Sequence, residues 1–456
     1  MKKGMFFALA VSSLLFSACS SDDAVVSTEG QNEAVQQIVL QVASSGDGLT
    51  TRAGRPLYSS QALQTIQHVR VLIYKNETGG GEKTIVYDKK LNWKESTIYK
   101  TNGHGRQFTI SLKGNDRLDA GNYKIMAVGY SDNSDYTYAL DVTSTEALTG
   151  GTYNDITATL KAGKKDAEEV FAGDATLTIG DDKKITNLTQ GEDDGVAVTL
   201  HRQVAGSFGY FCNIPAKVGD KTAATLRLVV RGKNDMLTFK DFNSSFTTTG
   251  STIKYYVNGS KSKGATFTPD AQFKDGDNGY VLYSIDLNTW FPGGDQNKDG
   301  LLNAEDTNWD HPTDVKTQVV KGSVFGSNFV IPFKYTDGKS TMELQLLDTA
   351  GSIIKTWTVS IPESDLNKVA ANGNVADVSA SIFNVVRNHM YNLGVKTSNG
   401  TTTDPDPNKP DPDPNKPDPD KPKPGTDQPE DLTKSQNLIL KVNDNWEAIH
   451  KLVLGD

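Results

Sequence analysis

Side-chain oxygens recur at regular spacing through residues 295–306, which read DQNKDGLLNAED. Carboxylates or amides stand at positions 1, 3, 5, 9 and 12 and a glycine at position 6, which is the pattern of an EF-hand-type calcium loop. Gly300 permits the sharp turn, and the backbone carbonyl of Leu301 supplies position 7. The predicted Ca²⁺ ligands are Asp295, Asn297, Asp299, Leu301, Asn303 and Asp306.

Asp306 replaces the bidentate Glu that is usual at position 12, as in dockerin-type loops. A dockerin module uses two such loops, whereas this sequence has one. We therefore expect a structural ion rather than a partner-binding module. The alternative is an acidic surface turn that needs no metal.

Sequence patterns that would indicate catalysis are absent. No nucleophile elbow, P-loop, dinucleotide fingerprint or HExxH pattern occurs, and the six histidines show no metal-ligand spacing. Cys212 lies in an apolar, strand-like run without a neighbouring base, so we interpret it as a small core residue. The sequence predicts a protein that is not an enzyme.

The first nineteen residues have the form of an export signal. Lys2 and Lys3 precede an apolar stretch, residues 5–16, that is too short to span a bilayer as a helix. The sequence FSAC then ends in Cys19 and resembles a bacterial lipobox, and the following SSDD resembles an acidic outer-surface export tag. We predict a signal peptide at 1–18 and an outer-membrane lipoprotein precursor acylated at Cys19. An ordinary signal peptide cut nearby is the alternative.

Composition favours many short strands. The chain has 456 residues, a net charge of −9 and no Lys/Arg run beyond its start, which argues against a nucleic-acid partner. Runs rich in Val, Ile, Tyr, Phe and Thr recur between residues 33 and 398, with short helical turns expected at 145–148 and 363–369. We predict an all-β fold with two tandem antiparallel β-sandwich domains. The predicted segments are a propeptide with the first strand at 19–52, domains at 53–194 and 195–398, a linker at 399–431 and a tail at 432–456.

The predicted linker contains a low-complexity repeat. Residues 404–424 read DPDPNKPDPDPNKPDPDKPKP. Because proline fixes φ and lacks a backbone donor, we expect polyproline II that reaches about 60 Å at ~3.1 Å per residue. The strand-like segment NLILKV, residues 437–442, follows it and repeats the pattern of QIVLQV, residues 37–42.

The two hexapeptides would present the same apolar face to a sheet. In the tail, Leu438, Leu440 and Val442 alternate as the apolar residues of the first segment do. A strand on a long linker is not stable alone and needs a sheet to complete. The tail is therefore predicted to be a donor strand.

A glycine-rich loop at 46–55 contains Arg52 followed by Ala53, where a trypsin-like protease can cut. Cutting there would remove the lipid anchor and the first strand together. The tail of another copy could then fill the exposed trench. Because donor and acceptor lie at opposite ends of one molecule, this contact propagates into a filament instead of closing.

These features together resemble the fimbrillins of the type V pilus family. The features that carry the resemblance are the lipobox at Cys19, Thr51-Arg52-Ala53, AGNY at 120–123, LHRQVA at 200–205, RNHMY at 387–391 and Trp446 after the tail strand. The resemblance implies transthyretin-like sandwich domains, lipoprotein export, maturation after Arg52 and polymerisation by donor-strand exchange. It implies a structural subunit of an adhesive cell-surface fimbrium (pilus), with other copies, anchor and tip subunits, and a processing protease as partners.

Three alternatives remain open from the sequence. The tail can fold back onto its own domain. A stalk subunit needs both a cleavable first strand and a donor tail, whereas a tip adhesin needs only the tail. A surface glycan-binding lipoprotein would keep its lipid and bind sugars through exposed aromatic residues, for which Trp290, Trp309 and Trp357 are candidates.

Overall fold

The computed structural model describes most of the chain between residues 35 and 443. The described residues are 35–42, 66–75, 84–98, 106–148, 156–164, 166–189, 197–231, 234–239, 258–263, 279–313, 315, 319–334, 342–360, 384–385, 387, 390–395, 428–434, 437–439 and 441–443. Outside them lie Cys19, Arg52, Ala53, Leu440, residues 190–196 at the predicted domain boundary, the helical turn predicted at 363–369, and 404–424. The described residues belong to one compact unit.

Strands rich in β-branched and aromatic residues make up nearly all of the described regular structure, which confirms the all-β prediction. The strands up to residue 202 are β1 (Gln36–Val42), β2 (His68–Lys75), β3 (Thr84–Asn92), β4 (Thr97–Ile98), β5 (Arg106–Leu112), β6 (Gly121–Tyr130), β7 (Tyr136–Tyr138), β8 (Thr157–Leu160), β9 (Phe171–Ile179), β10 (Ile185–Thr189) and β11 (Ala197–Arg202). The later strands are β12 (Ala205–Cys212), β13 (Ile214–Pro215), β14 (Lys217–Val218), β15 (Lys221–Arg231), β16 (Met236–Thr238), β17 (Gly259–Ser260), β18 (Gly279–Asp286), β19 (Leu301–Leu302), β20 (Ser323–Val330), β21 (Phe333–Lys334), β22 (Met342–Asp348), β23 (Ile353–Ser360), β24 (Asn384–Val385), β25 (Met390–Leu393), β26 (Glu430–Asp431), β27 (Asn437–Ile439) and β28 (Lys441–Asn443).

Helical structure in the described part is limited to single turns. These are the 3₁₀ turns Trp93–Glu95 and Gly114–Asp116 and the α-helical turn α1 (Leu287–Trp290). None of the described helices has the length and apolar character to cross a membrane.

The first sheet has the strand order β3-β2-β6-β9-β11-β1-β5-β4, with β10 added to β9. Its strands share an apolar core that includes Ile38, Val71, Ile125, Leu177 and Val198. β11 belongs to this sheet, although the predicted boundary at 194/195 assigns it to the second domain. The change from the first sheet to the next occurs between β11 and β12.

The middle of the first sheet is buried on both faces. In β2, Val69, Val71 and Ile73 lie in the first core, whereas Leu72 and Tyr74 lie in the core of the second half. This explains why β2 is a nearly continuous apolar run rather than an alternating one.

Arg70 interrupts that run, and its side chain is only 3 % exposed beside Asp88 of β3. Arg70 also donates to the backbone carbonyl of Glu146 (2.8 Å), and Asp88 accepts from the backbone N–H of Leu148 (2.6 Å). The helical turn predicted at 145–148 is wrong, because side chains of β2 and β3 bind the backbone groups that such a turn would use.

The described part of the second half has two larger sheets and the two-stranded sheets β13-β19 and β21-β24. One larger sheet has the order β20-β12-β25-β28 with β26 on β12, and the other has the order β14-β15-β22-β23-β27 with β18 on β15. Their side chains contribute to one apolar core that includes Phe208, Tyr210, Leu228, Leu344 and Trp357.

A small sheet with the order β17-β16-β8-β7 joins the two halves. Leu237 of β16 lies opposite Ala158 of β8, and both side chains are fully buried. The second core also takes in Tyr74 and Tyr130 of the first sheet. The halves therefore share both backbone hydrogen bonds and a core, and the tandem domain division stays a prediction.

Candidate functional site: the β1 groove, the tail strand and the acidic loop

β1 is an interior strand of the first sheet. It runs parallel to β11, with Leu40 opposite Val198, and antiparallel to β5, with Ile38 opposite Ile110. Ile38 and Leu40 are fully buried and Gln37 is exposed, as strand alternation requires. Withdrawal of β1 would open a channel between the edges of β5 and β11, which we call the β1 groove.

A polar pocket lies at the start of the β1 groove. The Gln36 side chain is 1 % exposed, and its Nε2 donates to the backbone carbonyls of Leu118 and Lys183, each at 2.8 Å. Its Oε1 accepts from the backbone N–H of Leu118 at 2.9 Å. We define the polar pocket by these backbone groups of Leu118 and Lys183, which a strand in the groove satisfies through an amide.

The tail strand contacts two sheets of its own chain. β27 runs parallel to β23, with Leu438 opposite Val359, and β28 runs antiparallel to β25, with Val442 opposite Tyr391. Leu438 is fully buried. In the single chain the tail therefore adopts the folded-back arrangement that the sequence left open, while β1 fills its own groove.

A polar anchor precedes the tail strand. β26 runs parallel to β12, with Asp431 opposite Cys212. Asp431 accepts from Nδ2 of Asn213 (2.9 Å) and from the N–H and Oγ1 of Thr433 (3.0 and 2.6 Å), and it pairs with Lys434 (3.0 Å). Burial raises the pKa of Asp431, but these bonds outweigh burial and lower it to about 2. At neutral pH the Asp431 side chain in this anchor is therefore an ionised carboxylate.

Cys212 does not have the properties of a nucleophile. It lies at the end of β12 and is half-buried. Burial, followed by the nearby negative charge of Asp431, raises the pKa of the thiol to about 11. Because the thiolate is the reactive form, the geometry favours a packing role.

The acidic loop, residues 295–306, folds around its own carboxylates. Asp295 accepts from the backbone N–H groups of Lys298 (2.6 Å) and Gly300 (2.9 Å). Gly300 adopts φ +87°, which a residue with a side chain rarely adopts. The turn at position 6 that the motif requires is therefore present.

The remaining predicted ligands lie in the same loop. Asp299 accepts from the Leu301 N–H (2.8 Å) and from Nδ2 of Asn303 (2.7 Å), and these two bonds lower its pKa. Asp306 is fully buried and accepts from the backbone N–H groups of Gln296 (2.8 Å) and Asn303 (3.0 Å). Carboxylates, amides and one carbonyl are oxygen donors, the type that Ca²⁺ prefers. Among the described residues, no cluster of three or more Asp, Glu, His or Cys side chains is arranged to hold a metal ion.

Aromatic rings lie beside the acidic loop. The Trp290 and His311 ring centroids are 5.4 Å apart, and Trp309 lies 6.3 Å from His311 and donates from Nε1 to the carbonyl of Ser323 (2.9 Å). Trp290 is 3 % exposed and Trp357 is 1 % exposed. Two of the three candidate sugar-binding tryptophans are thus buried in the described fold, which disfavours a sugar-stacking platform built from them.

The sequence analysis did not identify the role of Gln36 in the polar pocket or that of Asp431 in the polar anchor. The Asp431-x-Thr433 spacing is typical of a side-chain turn and could have identified the polar anchor. The Gln36 side chain bonds to Leu118, 82 positions away, and no local pattern signals such a contact.

No family model matches the chain, and no curated protein matches it.

Solved structures resemble it at low identity. A fimbrial assembly protein from Parabacteroides distasonis is 13 % identical with a TM-score of 0.32, covering 81 % of this chain and 93 % of that one. The tip fimbrial protein Mfa3 from Porphyromonas gingivalis is 10 % identical with a TM-score of 0.30, covering 79 % and 94 %. The fimbrial anchor protein Mfa2 from the same organism is 12 % identical with a TM-score of 0.32, covering 79 % and 90 %. All three of these neighbours are fimbrial proteins.

Proposed function

We propose that the chain is a structural subunit of a cell-surface fimbrium, exported as a lipoprotein precursor and polymerised by donor-strand exchange. The observation that carries the proposal is the position of β1. This first described strand is inserted between β5 and β11, and the cleavable sequence around Arg52 follows it.

Cleavage after Arg52 would separate β1 from the rest of the subunit. Burial of each large aliphatic side chain such as Ile38 or Leu40 stabilises the fold by ~1.5–3 kcal/mol. Loss of β1 would also leave β5 and β11 with unpaired backbone edges. A processed subunit would therefore hold an apolar groove that favours binding of a strand.

The tail has the sequence to replace β1. Leu438 and Leu440 would take the positions of Ile38 and Leu40, and the Pro-rich residues 404–424 provide reach to a neighbour. The incoming strand would run in the direction of β1, parallel to β11. Each subunit would donate at one end and accept at the other, so the assembly grows as a filament.

The positions of the strands favour the exchange. Among the described strands, β27 and β28 each lie at the end of the strand order of their sheets, whereas β1 lies in the interior of its sheet. Each tail segment pairs with one described strand, and in the β1 groove it would pair with two. Transfer from edge to groove therefore gains backbone hydrogen bonds.

Within this function we propose a stalk subunit, because the chain has both a strand followed by a cleavable sequence and a donor-like tail. Its partners would be other copies, anchor and tip subunits, the maturation protease and, before maturation, the outer membrane through Cys19. N-terminal sequencing of the mature surface protein tests this role. A start at Ala53 supports the stalk, whereas acylated Cys19 on all surface copies would assign an anchor, a tip or a glycan-binding lipoprotein.

We further propose that the acidic loop holds a structural Ca²⁺ through Asp295, Asn297, Asp299, Asn303, Asp306 and the carbonyl of Leu301. The loop continues into the core, because Leu302 is buried and lies opposite Ile214 of β13. The ion would supply positive charge that the carboxylates need when brought together. Its effect would be on stability rather than on chemistry.

A further inference from the structure

The apolar pattern of the tail does not by itself define its register in the β1 groove. A slip by one residue would turn Leu438 and Leu440 to the exposed face and is excluded. A slip by two residues returns the apolar side chains to the buried face. Some other feature must distinguish the correct register from these even slips.

For β1 itself, the polar pocket provides that feature. The amide of Gln36 makes three hydrogen bonds with the backbone of Leu118 and Lys183, and Leu118 is itself 5 % exposed. An apolar side chain at this position would leave the buried N–H and carbonyl of Leu118 without this partner, which is costly. The pocket therefore requires a side chain that both donates and accepts.

The tail carries the same residue at the matching position. Gln436 lies two residues before Leu438, as Gln36 lies two residues before Ile38. We propose that Gln436 of one copy enters the polar pocket of the next copy and fixes the register of the donor strand. This inference rests on the proposed strand exchange and adds a specificity-determining residue to it.

Both two-residue slips conflict with the groove. One slip would place Leu438 against the carbonyls of Leu118 and Lys183. The other would place the amide of Gln436 in the apolar position of Ile38, where a buried polar group would lack partners. The register of the donor strand is therefore selected by one side chain at its start, that of Gln436.

Disulfide trapping between copies tests the register. β1 places Gln37 opposite Ser111 and Val39 opposite Thr109, and Ser111, Thr109 and Lys113 are all exposed. Full chains in a Cys19→Ser, Cys212→Ser background would carry Asn437→Cys as donors. Differently tagged acceptor chains, trimmed with trypsin, would carry Cys at position 109, 111 or 113.

With Gln436 intact, we expect cross-linking at position 111 to exceed that at 109 and 113 by about tenfold, the effect of one buried hydrogen-bonding group. Gln436→Ala should spread the cross-links over the three positions. Gln436→Glu should reduce them all, because a carboxylate would face two carbonyls. The control Ser435→Ala should change nothing, since the matching Val35 is 47 % exposed.

The outcomes separate the two proposals. Unchanged preference for position 111 in Gln436→Ala would overturn the role of Gln436 and leave strand exchange intact. Absence of cross-links between copies at every position, with Gln436 intact, would overturn strand exchange itself. A third, trypsin-trimmed chain would carry both Asn437→Cys and Ser111→Cys. Cross-links in it that form only within one chain would show that the tail enters its own groove, which would overturn the assignment to a second copy.

Discussion

Nε2 of Gln36 lies 2.8 Å from the carbonyl oxygen of Lys183, although the two residues are 147 positions apart in the sequence. This contact ties the first strand to the turn between β9 and β10. The start of β1 is therefore held by hydrogen bonds, and its middle is held by the burial of Ile38 and Leu40.

Gln36→Ala should destabilise the unprocessed chain by about 1–3 kcal/mol, because the buried N–H and carbonyl of Leu118 lose their partner. Urea unfolding of the full chain measures the effect. The neighbouring Gln37→Ala is the matched control, since Gln37 is exposed and should change stability by less than ~0.5 kcal/mol. Equal effects of the two substitutions would contradict the role of the polar pocket.

Removal of residues 437–456 should leave soluble monomers after processing. The truncated chain keeps the β1 groove but has no strand to donate. Unboiled gel electrophoresis, which preserves polymers held by strand pairing, would show the ladder of the intact chain and its loss in the truncation. A chain lacking only residues 447–456 keeps Leu438 and Val442 and should still polymerise. Fibres grown by the 437–456 truncation would rule out the donor strand.

Arg52→Ala should keep the propeptide attached. The surface protein would then retain acylated Cys19 and β1, and polymerisation should fall because the groove stays filled. Mass spectrometry of the N-terminus provides the measurement. Arg55→Ala is the control in the same loop, and the mature chain should still begin at Ala53. Normal fibres with Cys19 still attached would contradict exchange through the β1 groove.

The tail anchor should weaken in acid. The pKa of Asp431 is lowered from its ordinary value of 3.8 to about 2 in the folded chain. The anchor therefore contributes stability above about pH 4, and this contribution is lost as the pH falls through about 2. Hydrogen exchange of residues 428–434 should rise over this interval, and Asp431→Asn should remove the pH dependence. A pH response that persists in Asp431→Asn would assign it to another group.

Local sequence patterns predicted where strands form better than they predicted which strands pair with each other. The alternation in 37–42 predicted β1, and the apolar run in 69–74 predicted β2, because both signals lie within one segment. The pairing of Leu237 with Ala158 joins distant segments, and no local pattern determines it. The predicted turn at 145–148 failed for the same reason, since side chains from two remote strands bind its backbone.

The candidate site divides in the same way. The acidic loop could be predicted because its six donor positions lie within twelve residues. The polar pocket could not be predicted, because Gln36 bonds to residues 82 and 147 positions away, which lie near it only in the folded sheet. The helical turn α1 was also missed, although Asp286, whose side chain accepts from the backbone of Asn288 at 2.9 Å, is a recognisable N-cap.

Calcium should raise the melting temperature of the chain, and chelation should lower it. The loop places Asp295, Asp299 and Asp306 within one turn-forming segment, where a divalent cation would offset their mutual repulsion. Asp295→Ala with Asp299→Ala should abolish the calcium response. Glu305→Ala is the matched control, because Glu305 is exposed and lies outside the predicted ligand set. Calcium should therefore still raise the melting temperature of this variant. Scanning calorimetry with Ca²⁺ and with a chelator distinguishes the cases. If the wild-type chain melts at the same temperature in both, the loop is a turn held by its own hydrogen bonds.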